Sequence, residues 1–300
     1  MIDFKRFTLA DKEKYEQIHM ESGERGCEYS FANLYLWGRQ TMSEVAGCLV
    51  FFSQFNRRSV YPFPIGDGDK KAAVDALMRD SGERGIPCRI TGITERDKVW
   101  LETTYGEAFR IHADRDSHDY VYLTDDLADT PGKKYHKKRG HLRKFEEAYP
   151  EFCLTPVDES TVPDAESLLE RWYSTRGEYE DFMMERCAIK KALRDREALG
   201  LEVLLLFVGG SAAALTVMSR VSHDTFDVHF EKALPEFDGA YAMINREAAR
   251  FVREKYPEVK FLNREEDMGI EGLRKAKKSY YPHHMVEKWW AHLGEDGYDY

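Results

Sequence analysis

The sequence predicts an α/β (α+β) protein made of two tandem domains, each with a mixed central sheet flanked by helices. Three observations lead there. Strand-length apolar runs alternate with helical segments along all 300 residues, a length that allows about two domains with separate cores. Each half passes from an early strand through helices to a central hairpin, then to strands alternating with helices, without a residue-level repeat. Between the halves the charge reverses: a chain of formal charge −10 carries seven Lys or Arg and no acid over residues 133–145. The expected organisation is a first domain at 1–115, a linking strand and basic helical segment at 116–150, and a second domain at 151–300.

Residues 2–7 read as a strand, and Thr8 then opens a helix to about residue 20, with Asp11 placed to complete a capping box. The aromatic-rich segment 29–37 reads as a helix packed on the sheet, because large aromatics dominate core burial; ligand stacking is the alternative. Strands at 45–55 and 59–63 join through Asn56, Arg57 and Arg58. The run from Gly66 to Lys71 opens a helix to about residue 80. It lacks phosphate-loop spacing and carries two acids that would repel phosphate. A strand at 88–93, a helix at 95–105 and a strand at 108–111 complete the first domain.

Residues 120–123 read as a further strand and 125–131 as a linker. Lys133, Lys134, Lys137, Lys138, Arg139, Arg143 and Lys144 follow, interleaved with Tyr135, His136 and His141. Such a stripe suits a phosphate-rich partner, whether RNA backbone, anionic headgroup or nucleotide. A solvated basic helix paired with acidic neighbours is the other reading. The acidic balance of the whole chain argues against a surface that coats nucleic acid or membrane throughout.

The second domain continues with a strand at 152–157, helices at 164–175 and 180–198, strands at 202–208, 212–221 and 225–231, a helix at 239–255 and a strand at 259–262. A helix from Ile270 and a last strand at 284–290 close it. The uncharged run 203–218 is broken by Gly209, Gly210 and Ser211 and falls short of the about 20 residues a spanning helix needs, so it reads as a buried hairpin. No integral membrane span is expected. Asp3, Lys5 and Arg6 stand where a secretory signal would be apolar. Five widely spaced cysteines without a Cys-x-x-Cys pair read as reduced thiols, neither a disulfide framework nor a zinc site. A cytoplasmic protein without a metal is expected.

Candidate chemistry collects where the strand ending at Leu262 meets Asn263, Glu265, Asp267 and Gly269, because open α/β sheets place ligands beyond the C-terminal ends of their strands. The acids lie near the positive end of the following helix and Arg274 and Lys277 toward its negative end, which equally suits a helix capped by its own charges. In the 225–231 strand, alternation puts Asp227, His229 and Glu231 on one face. If the Asn263 loop closes that face, burial tunes His229 or Glu231 toward a general base; if not, they face solvent.

The stretch from Asn263 to Pro282 reads Asn, several acids, Gly, then Glu-Gly-Leu-Arg-Lys-Ala-Lys and an aromatic before Pro. It resembles the C-terminal catalytic domain of bacterial phosphatidylglycerol lysyltransferases and their short soluble homologues. Segment 29–37 and the basic segment are similar to segments of the same homologues. The resemblance implies a tandem of GCN5-related N-acetyltransferase (GNAT) folds, the second catalytic. It also implies transfer of an acyl or aminoacyl group from acyl-CoA or aminoacyl-tRNA to an amine or hydroxyl of a small-molecule or aminoacyl acceptor, with no tightly bound cofactor and with tRNA as a candidate partner.

Where acyl-CoA-using GNAT enzymes hold pyrophosphate on a glycine-rich turn, this chain has Asp238, Gly239 and Ala240, with Asp238 expected at the helix N-cap on the donors a phosphate would use. Aminoacyl-tRNA-using relatives depart from the turn likewise. The implied chemistry assigns His229 or Glu231 as base, a backbone N–H of the 212–221 strand to the oxyanion, and Tyr280 or Tyr281 as acid. Asn263 orients substrate, and Arg274 with Lys277 holds phosphate or carboxylate. The 17 residues from Asn263 to Tyr280 exceed the usual GNAT spacing, and Tyr280 is either the acid or core. The competing class is a non-catalytic binding module of the same fold that holds RNA or an anionic ligand through its basic segment. A monomer is expected, since a tandem supplies its own domain interface.

Overall fold

The computed structural model describes residues 1–55, 58–174 and 180–294. The predicted turn at Asn56 and Arg57 and the predicted helix end at Thr175 lie outside the described residues. The chain forms two compact units. One comprises Met1–Asp119, Glu266–Arg274 and the chain from Met285; the other comprises Tyr120–Glu265 and Lys275–His284.

In the first unit the strand order is Lys5–Arg6, Gln40–Val45, Cys48–Phe55, Arg58–Pro62, Arg89–Ile93, Trp289–Leu293, Phe109–Ala113. The strand expected at 45–55 is in fact the second arm of a hairpin. Ala46 and Gly47 take positive φ (51° and 78°), a two-residue turn that sets Val45 opposite Cys48. The turn hides in an apolar run because it uses only one glycine. Buried Lys288 reaches Asp119 at 2.7 Å and Glu28 at 2.6 Å. A Cβ at Gly26 would fall 2.2 Å from Lys288 Cε, so a larger residue there would displace the Lys288 side chain.

In the second unit Asp119–Leu123 pairs with Phe261–Asn263, followed by Thr225–Ala233, Ser211–Arg220, Glu202–Val208 and Cys153–Pro156. Thr225–Ala233 and Phe261–Asn263 run parallel. The predicted buried hairpin is present, with Gly209 and Gly210 at positive φ (55° and 77°) forming its turn. Helix Ala240–Lys255 buries Ala240, Met243, Ile244, Ala248 and Val252, an i, i+3, i+4 stripe. The basic helix His136–Ala148 buries only Leu142 and Phe145 against that stripe. Segment 125–131, expected as a linker, is instead mostly helix Thr124–Asp129, closed by Thr130 in the left-handed region. Among the described residues no helix is long and apolar enough to cross a membrane.

The units do not follow the boundaries read from the sequence at 115 and 151. Residues 120–123, expected in a linking segment, pair with Phe261–Asn263 in the second unit's sheet. The strand expected at 284–290 divides into His284–Val286 and Trp289–Leu293, and the latter fills a place between Arg89–Ile93 and Phe109–Ala113 in the first. Strand membership depends on which neighbour takes the backbone N–H and C=O groups, and here those neighbours are distant in sequence.

Candidate active site

Parallel pairing sets Asp227 opposite Asn263. On the other side of its strand the register slips: Val217 faces Phe230 and Met218 faces Val228, leaving His229 as the extra residue of a β-bulge. Asp227 and His229 are 0% and 6% exposed, so the titratable face is closed. His229 Nε2 lies 2.7 Å from Ser219 Oγ. Its Nδ1 lies 3.4 Å from Asp227 Oδ2 and 3.4 Å from Glu265 Oε1. Asn263 Oδ1 accepts the Glu265 backbone N–H at 2.8 Å, and Glu265 takes φ 57°, which turns its side chain back toward the strand.

A second cluster stands beside the first. Glu231 Oε2 accepts from Arg264, while Glu231 Oε1 is buried without a hydrogen bond among the described residues. The Arg264 guanidinium lies 5.1 Å from the Tyr280 ring centroid, and Lys138 Nζ lies 3.6 Å from the same centroid. Tyr280 is thus flanked by two cations. Burial pushes its phenol up to about 12, a rise that Arg264 opposes and Glu231 adds to. Burial pulls Lys138 down to about 8, and the charge of Arg264 adds to this. Tyr122 and Tyr135 donate from their hydroxyls to the carbonyls of Lys277 and Tyr280, 2.8 Å each, and so place the segment that carries Tyr280.

The sequence model described as "Phosphatidylglycerol lysyltransferase, C-terminal" matches residues 20–292. The chain belongs to this family. A crystallised conserved protein of unknown function from Bacteroides thetaiotaomicron is 37% identical, with a TM-score of 0.91 over 98% of this chain and 100% of that one. The structure of L-PGS from Bacillus licheniformis is 14% identical, TM-score 0.67, covering 96% and 93%. A tandem GNAT protein from the clavulanic acid biosynthesis pathway is 10% identical, TM-score 0.52, covering 98% and 99%. The fold is a tandem of GNAT-like domains with mixed sheets flanked by helices. No curated protein matches the sequence.

In this family member several expected donor-site residues have other work. Asp267, Gly269 and Arg274 lie in the first unit, where buried Asp267 accepts from Arg274 at 2.8 and 2.9 Å and from Gly269 N at 3.0 Å. Asp267 and Asp116 neutralise Arg274, so a role in holding phosphate is not what the structure gives it. Lys277 is buried and its Nζ donates to the carbonyls of Arg264 and Glu265, pinning the loop from inside. Gly239, not Asp238, is the N-cap of helix Ala240–Lys255, at φ 88° and without a side-chain cap. Ala240 N bonds to Phe237 O at 3.0 Å, which starts the helix one residue later and leaves Asp238 exposed. A Cβ at Gly239 would meet Phe145 Cβ at 3.3 Å, so the basic helix closes in on this turn.

The basic segment divides by face. Lys133, Lys137, Arg143 and Lys144 are exposed. Lys134 pairs with Asp126 at 3.1 Å, and Arg139 donates to the carbonyls of Thr130 and Gly132. Lys138, expected on phosphate, turns to Tyr280. Sequence reasoning missed Ser219 and Arg264. Ser219 is signalled only by strand register, and Arg264 only by the carboxylate it meets 33 residues away.

Proposed function

We propose that the protein is an aminoacyltransferase whose second unit moves an aminoacyl group from tRNA to an amine or hydroxyl acceptor. The observation that carries this reading is Glu231: a carboxylate with one oxygen held by Arg264 and the other buried without a hydrogen bond among the described residues. A buried acceptor without a donor is costly, and an incoming N–H or O–H would satisfy it. In the proposed step the acceptor attacks the ester carbonyl of the aminoacyl group, and Glu231 takes its proton. The new C–N or C–O bond forms as the ester bond to the tRNA ribose oxygen breaks. Tyr280, protonated at neutral pH, supplies the proton to that oxygen, and Arg264 and Lys138 beside the ring stabilise the phenolate. Asn263 shapes the loop through Glu265, and His229, engaged with Ser219, is not assigned as the base.

Two observations support aminoacyl-tRNA over acyl-CoA as donor. The turn at Asp238, Gly239 and Ala240 lacks a run of glycines and is packed by Phe145, and exposed cations line the adjoining basic helix. Those cations also favour the second reading, an RNA-holding module without turnover.

Thermal unfolding with uncharged tRNA, CoA and acetyl-CoA separates the donors. At 100 times its dissociation constant a ligand stabilises the native state by about 2.7 kcal/mol, and tRNA alone is expected to do so. Transfer from labelled aminoacyl-tRNA is then expected to fall by about 10²–10⁴-fold in Glu231→Gln with tRNA binding retained. A CoA-specific rise would overturn the donor, and an unaffected Glu231→Gln would overturn the site. Binding of tRNA with no transfer to any amine or hydroxyl would favour the module.

A further inference from the structure

We infer that Asp227, His229 and Glu265 form a binding site for one divalent transition-metal ion of the zinc class. Asp227 Oδ2 and Glu265 Oε1 each lie 3.4 Å from His229 Nδ1, and the three atoms are within 4.8 Å of one another. Tetrahedral bonds of about 2.1 Å separate neighbouring ligand atoms by about 3.4 Å, the distance at which the imidazole nitrogen stands from each carboxylate oxygen. The spacing is wrong for the alternative. A protonated imidazole sharing its N–H with a carboxylate closes to about 2.7–2.9 Å, and here two carboxylates stand off equally.

Nδ1 belongs to a residue only 6% exposed and makes no hydrogen bond among the described residues, although it points at both acids. The other ring nitrogen is already oriented: Nε2 lies 2.7 Å from Ser219 Oγ, the outer partner that a metal-bound histidine ordinarily has. The bulge that makes His229 the extra residue and the positive φ of Glu265 both serve to bring these ligands to one point. The Asp227 and His229 side chains are 0% exposed and Glu265 is 20% exposed, so the ion would enter past Glu265, with water or substrate as fourth ligand. Glu231 and Tyr280 are not among the ligands, so this site and the transfer reading stand or fall separately.

The test is titration of EDTA-dialysed full-length protein with Zn²⁺, and with Co²⁺ as a spectroscopic probe. One equivalent per chain is expected, with tetrahedral Co²⁺ absorption, no thiolate charge-transfer band, and a metal-dependent rise in unfolding temperature. Glu265→Gln changes the least buried ligand and is expected to lose the equivalent and the rise while unfolding in EDTA at the parent temperature. His229→Gln should do the same, and Ser219→Ala should weaken binding by about 10-fold. The inference is overturned by the lack of a saturable equivalent, by an equivalent that survives Glu265→Gln and His229→Gln, or by a thiolate band that assigns the metal to Cys27, which lies close to Glu28 and Asp119.

Discussion

Lys138 carries a charge that its neighbours make expensive. Its Nζ sits on the Tyr280 ring near Arg264, and both burial and that second cation favour the neutral amine. With its pKa near 8 in the folded chain against 10.5 when unfolded, the unfolded chain holds more protons between those values, so this residue makes stability rise with pH across that window. Carbon-13 methyl labelling of the lysines should show one resonance titrating near 8, and Arg264→Met should move it upward. A Lys138 resonance titrating with the bulk of the lysines would show that the contact does not hold in solution. The position was legible: Tyr135, Lys138, Leu142 and Phe145 follow the i, i+3, i+7 spacing of one helix face, and the other three are apolar-faced and buried. Net charge drew the reading away from periodicity. Glu231 was legible in type but not in partner, because Arg264 meets it only across paired strands.

At the scale of elements, the basic helix and the turn before it present Lys133, Lys137, Arg143 and Lys144 outward, while Lys138 turns to Tyr280 and Arg139 to the carbonyls of Thr130 and Gly132. Replacing the four outward residues with Glu should therefore reduce the slope of log K against log salt for RNA binding by about 3, at roughly 0.7–0.9 per phosphate contact, whereas Arg139→Gln should leave it unchanged. An unchanged slope in the fourfold variant would remove the helix from the binding surface. Helix Ala240–Lys255 was placed from its apolar stripe almost to the residue, since periodicity is local. Its start was misplaced by one residue. The Leu234 to Phe237 turn, bonded Phe237 N to Leu234 O at 3.2 Å, decides where the helix begins, and residue preference for the N-cap does not.

Across the whole molecule the acid sensitivity of folding should come largely from histidines of the first unit. Burial, with Arg25 adding, lowers His19 to about 4; burial, with His112 adding, lowers His292 to about 4. Both are neutral when folded and bind a proton more readily when unfolded, so the stability they preserve at pH 7 is lost as pH falls from 6.5 toward 4. For His19, which is 7% exposed, this is on the order of 3 kcal/mol. Urea unfolding of His19→Gln between pH 7 and 4 should show a flatter dependence than the parent. Equal slopes would place the acid response elsewhere.

The sequence by itself determined the order of most helices and strands, the buried hairpin around Gly209 and Gly210, and the stretch from Asn263 to Pro282 by which the family is recognised. All of these depend on residues close in the chain, through periodicity, turn chemistry or contiguous pattern. Only the tertiary structure decided that Trp289–Leu293 joins the first unit's sheet, that Asp267 and Arg274 bind each other there, and that His229, Asp227 and Glu265 converge. Strand pairing and charge neutralisation join residues far apart in sequence, and a side chain's charge does not name its partner before the backbone has brought one within reach.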